Sequence, residues 1–386
     1  MEEAKTPYQT FDEKWKTDDE GVETLTTISQ KSNESSILSY LEKKRIILKE
    51  QHIKYAKKIY SRTEKSSGSS ETFSLWKAPY TLFPLRILQY DGEDMPQILS
   101  SITNYLRSHI DIDGDFSGMY YDNSHLVTNY GVTMAIALIG TEEAYELVDR
   151  QKTYDVLLSL KLPNGSFRTT KGMESDIRST FTALLIAYSY NILTPELIEG
   201  VEEFILSCKN FDGGFSPCPN YESHGGYLHC GVGAMKILGK LDKLNLPAII
   251  RWITDRQVTF SGGFQGRPNK LVDSCYSWWV GTAARIIADH LGIEPFWNES
   301  AMTDYVTMSA QSIFGGFLDH RPSTTDPFHT MYGFAGLCVC GLRSIGEGEE
   351  RVDLPEVDTM LCCPKDLVEK MHKYFYSKPF VPKSNQ

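Results

Sequence analysis

Apolar residues along this chain recur at helical spacing in blocks, and the blocks fall into two kinds. Residues 95–106, 195–206 and 246–253 each carry a proline near the start, then apolar residues at i, i+3 and i+4 with polar residues between them. That pattern predicts amphipathic helices with one solvent face, the outer helices of a layered fold. Residues 130–139, 179–190, 231–238, 276–288 and 331–342 are rich in Ala, Gly and large apolar side chains and poor in charge. They predict inner helices buried on most sides. Alternating apolar and polar runs bounded by hairpin turns are scarce, so few strands are expected.

Between the two kinds of block lie five aromatic turns: Gly114-Asp115-Phe116, Gly165-Ser166-Phe167, Gly213-Gly214-Phe215, Gly262-Gly263-Phe264 and Gly315-Gly316-Phe317. Their phenylalanines stand 51, 48, 49 and 53 residues apart, a helix-turn-helix repeat with a period of about 50. An all-α array follows, with residues 73–386 as one domain because each unit packs mainly on its neighbours. Periodicity allows an open solenoid or a closed ring. Residues 1–36 are polar and mixed in charge and read as a disordered tail. Residues 37–72 read as a leader helix, spanning Ser36 to Tyr60, followed by a Ser/Gly linker.

Composition narrows the function. A net charge of -11 over 386 residues argues against a general nucleic-acid binder, which needs a basic face. The eight cysteines form no CxxC pair, and the start Met1-Glu2-Glu3-Ala4-Lys5 lacks the pattern of a signal peptide, so a reduced, cytoplasmic protein is expected. No apolar run approaches the roughly 18 residues of a membrane span. The 12% aromatic share suits an aromatic-lined cavity as well as a core.

The repeat register gathers polar residues where inner helices begin. Counted from the phenylalanine of its own turn, His125 is at +9, Arg178 at +11, His224 at +9, Asp273 at +9, Cys275 at +11 and His329 at +12. Any one of these could be a helix cap; six in register point to a site. Asp273, Cys275 and His329 offer a carboxylate, a thiolate and an imidazole from neighbouring units, a donor set that fits zinc better than magnesium or calcium and leaves a fourth position open. Just upstream, Arg267 and Lys270 place two cations where they can grip a diphosphate, with His224 and Tyr276 near enough in register to add hydrogen bonds. Tyr130, Phe181, Tyr227, Trp278, Trp279, Phe328 and Tyr332 lie on or beside the inner-helix starts and would wall an apolar funnel if the helices ring a cavity. Funnel, diphosphate grip and thiol-binding metal together point to alkylation of a thiol by an isoprenoid diphosphate.

Several segments carry a resemblance as well: Gly140-Thr141-Glu142-Glu143-Ala144-Tyr145, Ser175-Asp176-Ile177-Arg178-Ser179, His224-Gly225-Gly226-Tyr227, Gly262-Gly263-Phe264-Gln265-Gly266-Arg267, Asn269-Lys270-Leu271-Val272-Asp273 and Cys275-Tyr276-Ser277. In these the chain, from about His52 to Lys378, resembles the β subunits of the protein prenyltransferases, the farnesyltransferase branch above all. The resemblance implies a closed α/α barrel, or toroid, and an obligate heterodimer with an α subunit. It implies farnesyl transfer from farnesyl diphosphate to the cysteine of C-terminal CaaX motifs in proteins such as small GTPases. Asp273, Cys275 and His329 match the ligands of one zinc ion per subunit. His224, Arg267, Lys270 and Tyr276 match the diphosphate-binding, catalytic group. Gly226, Tyr227, Arg178, Tyr130, Cys230, Trp279 and Tyr332 match positions around the isoprenoid and the peptide, and His125 falls where the last peptide residue is read. Tyr80 falls where relatives carry a tryptophan that closes the isoprenoid pocket, while Phe181 and Phe328 stand where tyrosines are usual. Asp319 matches an aspartate associated with magnesium on the diphosphate, where type I geranylgeranyl enzymes have lysine, and so favours farnesyl. The alternatives are a type I geranylgeranyltransferase β subunit and, more remotely, a non-catalytic helical-repeat scaffold.

Overall fold

A computed structural model describes residues 25–41, 43–65, 75–110 and 125–383. In chain order its helices are α1 (Leu25–Leu41), α2 (Lys49–Lys65), α3 (Lys77–Ile87), α4 (Met95–Arg107), α5 (Leu126–Ile139), α6 (Glu142–Tyr145), α7 (Arg150–Leu160) and α8 (Ile177–Ser189). They continue as α9 (Pro195–Ile198), α10 (Val201–Ser207), α11 (Gly225–Ile237), α12 (Leu246–Thr254), α13 (Tyr276–Leu291), α14 (Glu299–Asp304), α15 (Pro327–Val339) and α16 (Lys365–Tyr376). Two hairpins of two-residue strands, Phe167–Arg168 with Ser175–Asp176 and Ser344–Ile345 with Val352–Asp353, are the strands among the described residues.

Helices α3, α5, α8, α11, α13 and α15 form an inner ring in which each packs on the next and α15 returns to α3. The array is therefore a closed α/α barrel, and the open solenoid is excluded. Outside it, α2 lies on α3, α4 on α5, α10 on α8 and α11, and α12 on α13. The turn glycines explain how the layers meet. Gly262 has φ +75°, and a Cβ there would come within 2.3 Å of the Ala301 carbonyl, so only glycine lets the turn lie flat on the outer helix of the next unit. Gly315 repeats the device with φ +85°, but the carbonyl that a Cβ there would meet, at 2.2 Å, belongs to Gln51 of α2. Helix α2 thus lies against the last turn as α14 lies against the one before it, and the packing of α15 on α3 closes the ring.

Each described turn phenylalanine is a core residue. Phe167, Phe215, Phe264 and Phe317 are all at most 1% exposed. Gly231 of α11 and Gly333 of α15 make room for Phe215 and Phe317, since a Cβ there would meet the rings at 2.6 and 2.9 Å. Burying one such ring contributes about 1.5–3 kcal/mol, so the turns anchor the barrel as well as connect it.

Four local expectations are corrected. The block 195–206 is two helices, α9 and α10, because Gly200 turns left-handed with φ 71° where its carbonyl packs against Gly165. Inner helices other than α13 start earlier than their apolar runs, at Gly225 and Pro327 for example, because polar residues cap them. Residues 25–36 are helical as part of α1, whose Ile37 is fully buried and whose Asn33 is 5% exposed. The single leader helix from Ser36 to Tyr60 is instead α1 and α2, parted by an extended stretch where the Gln311 side chain takes the Leu48 N–H and donates to the Ile46 carbonyl. Residues 1–24, the linker at 66–74 and the turn at 114–116 lie outside the described residues.

Candidate metal centre and its cavities

The polar residues in repeat register sit at the N-terminal ends of the inner helices. His125 Nδ1 accepts the Val127 N–H (3.2 Å), Asp176 accepts from Ser179, His224 Nδ1 accepts from Gly226 (3.0 Å) and Asp326 Oδ1 accepts from His329 (2.9 Å). Cys275 holds the corresponding position before α13. Capping explains why these side chains are polar, and the ring explains why they converge.

One atom each from Asp273, Cys275 and His329 lies within 4.8 Å of the others. Asp273 Oδ1 is 3.3 Å from His329 Nε2, and it also accepts the Cys275 N–H at 2.8 Å. Burial disfavours charge on His329, but hydrogen bonds and charges from Asp273 and Asp326 outweigh it and hold the imidazole up to about 10. Burial likewise works to raise Asp273, yet His329 keeps it below the usual carboxylate range. Burial, with Asp273 beside it, pushes the Cys275 thiol well above its ordinary value. A carboxylate, an imidazolium and a protonated thiol so close together form a cluster from which a divalent cation would displace protons. The donor set fits a borderline metal and leaves room for a further ligand.

Asp326 is the residue that sequence reasoning missed. Its Oδ2 lies 2.5 Å from His329 Nδ1, so it fixes the ring with Nε2 turned toward Asp273 and Cys275. An aspartate three residues before a ligand histidine at a helix start was a readable signal.

The three residues face a cavity of about 480 Å³ running down the ring. Tyr80, Tyr130, Arg178, His224, Gly226, Tyr227, Cys230, Tyr276, Trp279 and Tyr332 line it as well, together with Phe181 and Phe328. Trp76, which sequence reasoning passed over in favour of Tyr80, lines it too, one helical turn away and edge-on to Tyr130 at 5.7 Å. His125 is not among the lining residues and acts as the cap of α5. Beside the metal set lies a second cavity of about 200 Å³, lined by His224, Gly266, Arg267, Lys270, Asp273, Tyr276, Asp319 and His320. It shares His224, Asp273 and Tyr276 with the first.

Charge in the smaller cavity follows from its hydrogen bonds. Burial, helped by Arg267, lowers His224 to about 4, so the ring is neutral at pH 7. Because Nδ1 accepts a backbone N–H, the proton is on Nε2, which donates to the Tyr276 hydroxyl oxygen at 3.0 Å. Burial holds Tyr276 above its ordinary range, so its own proton stays available to an anion. Arg267 is paired with Glu222 at 2.8 Å, an exposed contact an incoming anion can replace. Asp319 accepts the His320 N–H and faces His320 Nδ1 at 3.0 Å, and its carbonyl takes the Ser274 N–H, tying it to the start of α13.

Residues 47–363 match the model of the prenyltransferase alpha-alpha toroid domain. The β subunit of protein farnesyltransferase from Schizosaccharomyces pombe is 34% identical over 305 residues, covering 77% of this chain and 78% of that one. The type-2 geranylgeranyl transferase β subunit of Saccharomyces cerevisiae is 30% identical over 346 residues, covering 86% and 98%. Among solved structures, Candida albicans protein geranylgeranyltransferase-I complexed with GGPP superposes with a TM-score of 0.72 at 23% identity, over 86% of this chain and 99% of that one, a likeness of fold. The chain belongs to the prenyltransferase α/α-toroid family as a prenyl-transferring β subunit with protein farnesyltransferase β subunits among its relatives.

Proposed function

We propose that this chain is the catalytic β subunit of a cytoplasmic, zinc-dependent protein farnesyltransferase, which joins an α subunit and transfers farnesyl from farnesyl diphosphate to the cysteine thiol of C-terminal CaaX motifs. The observation that carries the reading is adjacency: a thiol-competent metal set stands where an apolar cavity meets a cation-lined one. Asp273, Cys275 and His329 would hold the zinc. A zinc ion held there would supply the positive charge that lowers the pKa of an incoming thiol.

This chain's residues supply the rest. Tyr130, Trp279 and Tyr332 wall the larger cavity and exclude water from the isoprenoid. Arg267 and Lys270 draw the diphosphate into the smaller one. His224 orients the Tyr276 hydroxyl so that its proton points to a diphosphate oxygen. In the reaction the bond between C1 of the isoprenoid and the diphosphate oxygen breaks, the sulfur bonds to C1, the thiol proton passes to solvent and diphosphate leaves. Negative charge grows on the departing oxygens, and fixed cations and donors there stabilise it. Asp319, on the same cavity, would hold magnesium against the diphosphate, and an aspartate at this position supports farnesyl over geranylgeranyl.

The test is co-expression with a candidate α subunit, followed by competition between farnesyl and geranylgeranyl diphosphate for CaaX peptides with varied last residues. Preferential farnesyl incorporation and one zinc per heterodimer are expected. Preferential geranylgeranyl incorporation would move the chain to the type I geranylgeranyl enzymes, and absence of both zinc and transfer would leave a scaffold.

A further inference from the structure

Helix α1 precedes the region matched by the family model, yet it lies across both loops that face the smaller cavity. Asn33, 5% exposed, donates from Nδ2 to the Arg321 carbonyl at 3.0 Å. Arg321 follows Asp319 and His320 directly. Its guanidinium stands 4.0 Å from the centroid of the Tyr40 ring and donates to the Ser309 and Gln311 carbonyls at 2.8 and 2.9 Å. On its other flank α1 shares a cavity of about 250 Å³ with the loop that runs toward Asp273: Gln30 and Asn33 line it opposite Phe260, Gln265 and Lys270. Lys270 lines this cavity and the cation-lined one alike. Asn33 thus both lines the Lys270 cavity and bonds the Asp319–Arg321 loop.

We propose that α1 is a strap that positions Lys270 and Asp319 for the departing diphosphate, with Asn33 and Tyr40 as its positioning residues. The proposal rests on the reading of the smaller cavity as the diphosphate grip. Lys270 and Asp319 sit on loops rather than helices, and side chains on loops hold a catalytic geometry only as well as their supports do. Misplacement by about 1 Å can cost up to about 100-fold in rate, so a support one layer out can govern the chemical step without touching substrate.

The test uses the full-length heterodimer. Asn33→Ala should slow single-turnover transfer about 5–10-fold and weaken binding of inorganic diphosphate, measured calorimetrically, by a similar factor, while the peptide KM stays unchanged. Tyr40→Leu should act in the same direction, and Tyr40→Phe, which keeps the ring under Arg321, should behave as the unmodified enzyme. In a background carrying both Lys270→Ala and Asp319→Ala, Asn33→Ala should add less than about twofold, because the strap acts through the groups already removed. Additive losses, or diphosphate binding untouched by both Asn33→Ala and Tyr40→Leu, would overturn the strap while leaving the diphosphate grip intact. Lys270→Ala without effect on either readout would remove the grip itself and the proposal with it.

Discussion

Two histidines flank the last repeat in different charge states, a fully buried neutral one and a half-buried cationic one. His52, at the seam where α2 meets the fifth turn, accepts the Gly316 N–H through Nδ1 at 3.0 Å and faces the Gln311 side-chain oxygen with Nε2 at 2.9 Å. Its ring lies 4.8 Å from Phe317 and 4.7 Å from Phe334, and burial lowers its pKa to about 4. His329, on the helix after the same turn, has a carboxylate on each nitrogen and is held up to about 10. Burial works against charge on both rings; it prevails at His52, and at His329 the two carboxylates overturn it. Neutral amide partners make a permanent joint. Carboxylate partners beside a thiol keep a positive charge in place, and a divalent metal is the group that can replace it.

The largest expected effect is at the metal end. Cys275→Ala should reduce bound zinc in the purified heterodimer to background and turnover by about three orders of magnitude or more, the scale of several kcal/mol of lost charge stabilisation. The melting temperature should shift by only a few degrees. Full zinc content in that variant would remove Cys275 from the ligand set and erase the contrast with the seam.

His52→Ala should do the reverse. It removes two ring contacts and strands the Gly316 N–H, so a loss of about 3 kcal/mol in urea unfolding is expected, with zinc per folded molecule unchanged. The pH dependence has a definite sign. An unfolded chain's imidazole protonates near 6.5 and the folded one near 4, so the unfolded state binds the proton first as pH falls. The contribution of His52 is complete above about pH 6.5 and is lost progressively down through pH 4, at up to about 1.4 kcal/mol per unit. Subtracting the His52→Ala stability profile from that of the unmodified protein should show this loss in that window. A flat difference would mean that folding does not lower the pKa of the seam imidazole.

Asp326→Asn comes next in size. It keeps the shape but removes one carboxylate from His329, and partners of this kind typically govern metal affinity about 10–100-fold. Competition with a chelator should show that weakening, with the melting temperature nearly constant. Equal metal affinity would mean that Asp326 serves α15 only as its cap.

The contrast between seam and mouth also marks what could be read from the chain. Asp273, Cys275 and His329 were legible because each stands nine to twelve residues after a turn phenylalanine, and a repeat brings similar offsets together. The periodicity left closure open and the resemblance alone implied it, because the last turn, at Gly315, rests on the Gln51 carbonyl and α2 carries no turn of its own to announce its place in the series. Gly200 reads as a tolerated glycine inside a helix until Gly165 is seen packed on it. Helix α1 has few apolar residues, and its order depends on the burial of Ile37 and on Asn33 finding the Arg321 carbonyl, 288 residues away. Trp76 and Tyr80 lie one turn apart on one face, so resemblance alone could not say which ring covers the cavity.

That last ambiguity gives the smallest effect and ties the two ends of the comparison together. Trp76 stands at the start of α3, the inner helix to which α15 returns, so the seam itself supplies part of the cavity wall. Gly131 of α5 admits the indole, since a Cβ there would meet it at 2.9 Å. Trp76→Leu should therefore lengthen the cavity next to Tyr130 and shift the ratio of kcat/KM for geranylgeranyl over farnesyl diphosphate upward by roughly tenfold, the range that a few methylenes of pocket space command. Tyr80→Leu should shift it less if Trp76 covers the isoprenoid end. The opposite order would place Tyr80 there and confine Trp76 to packing the seam.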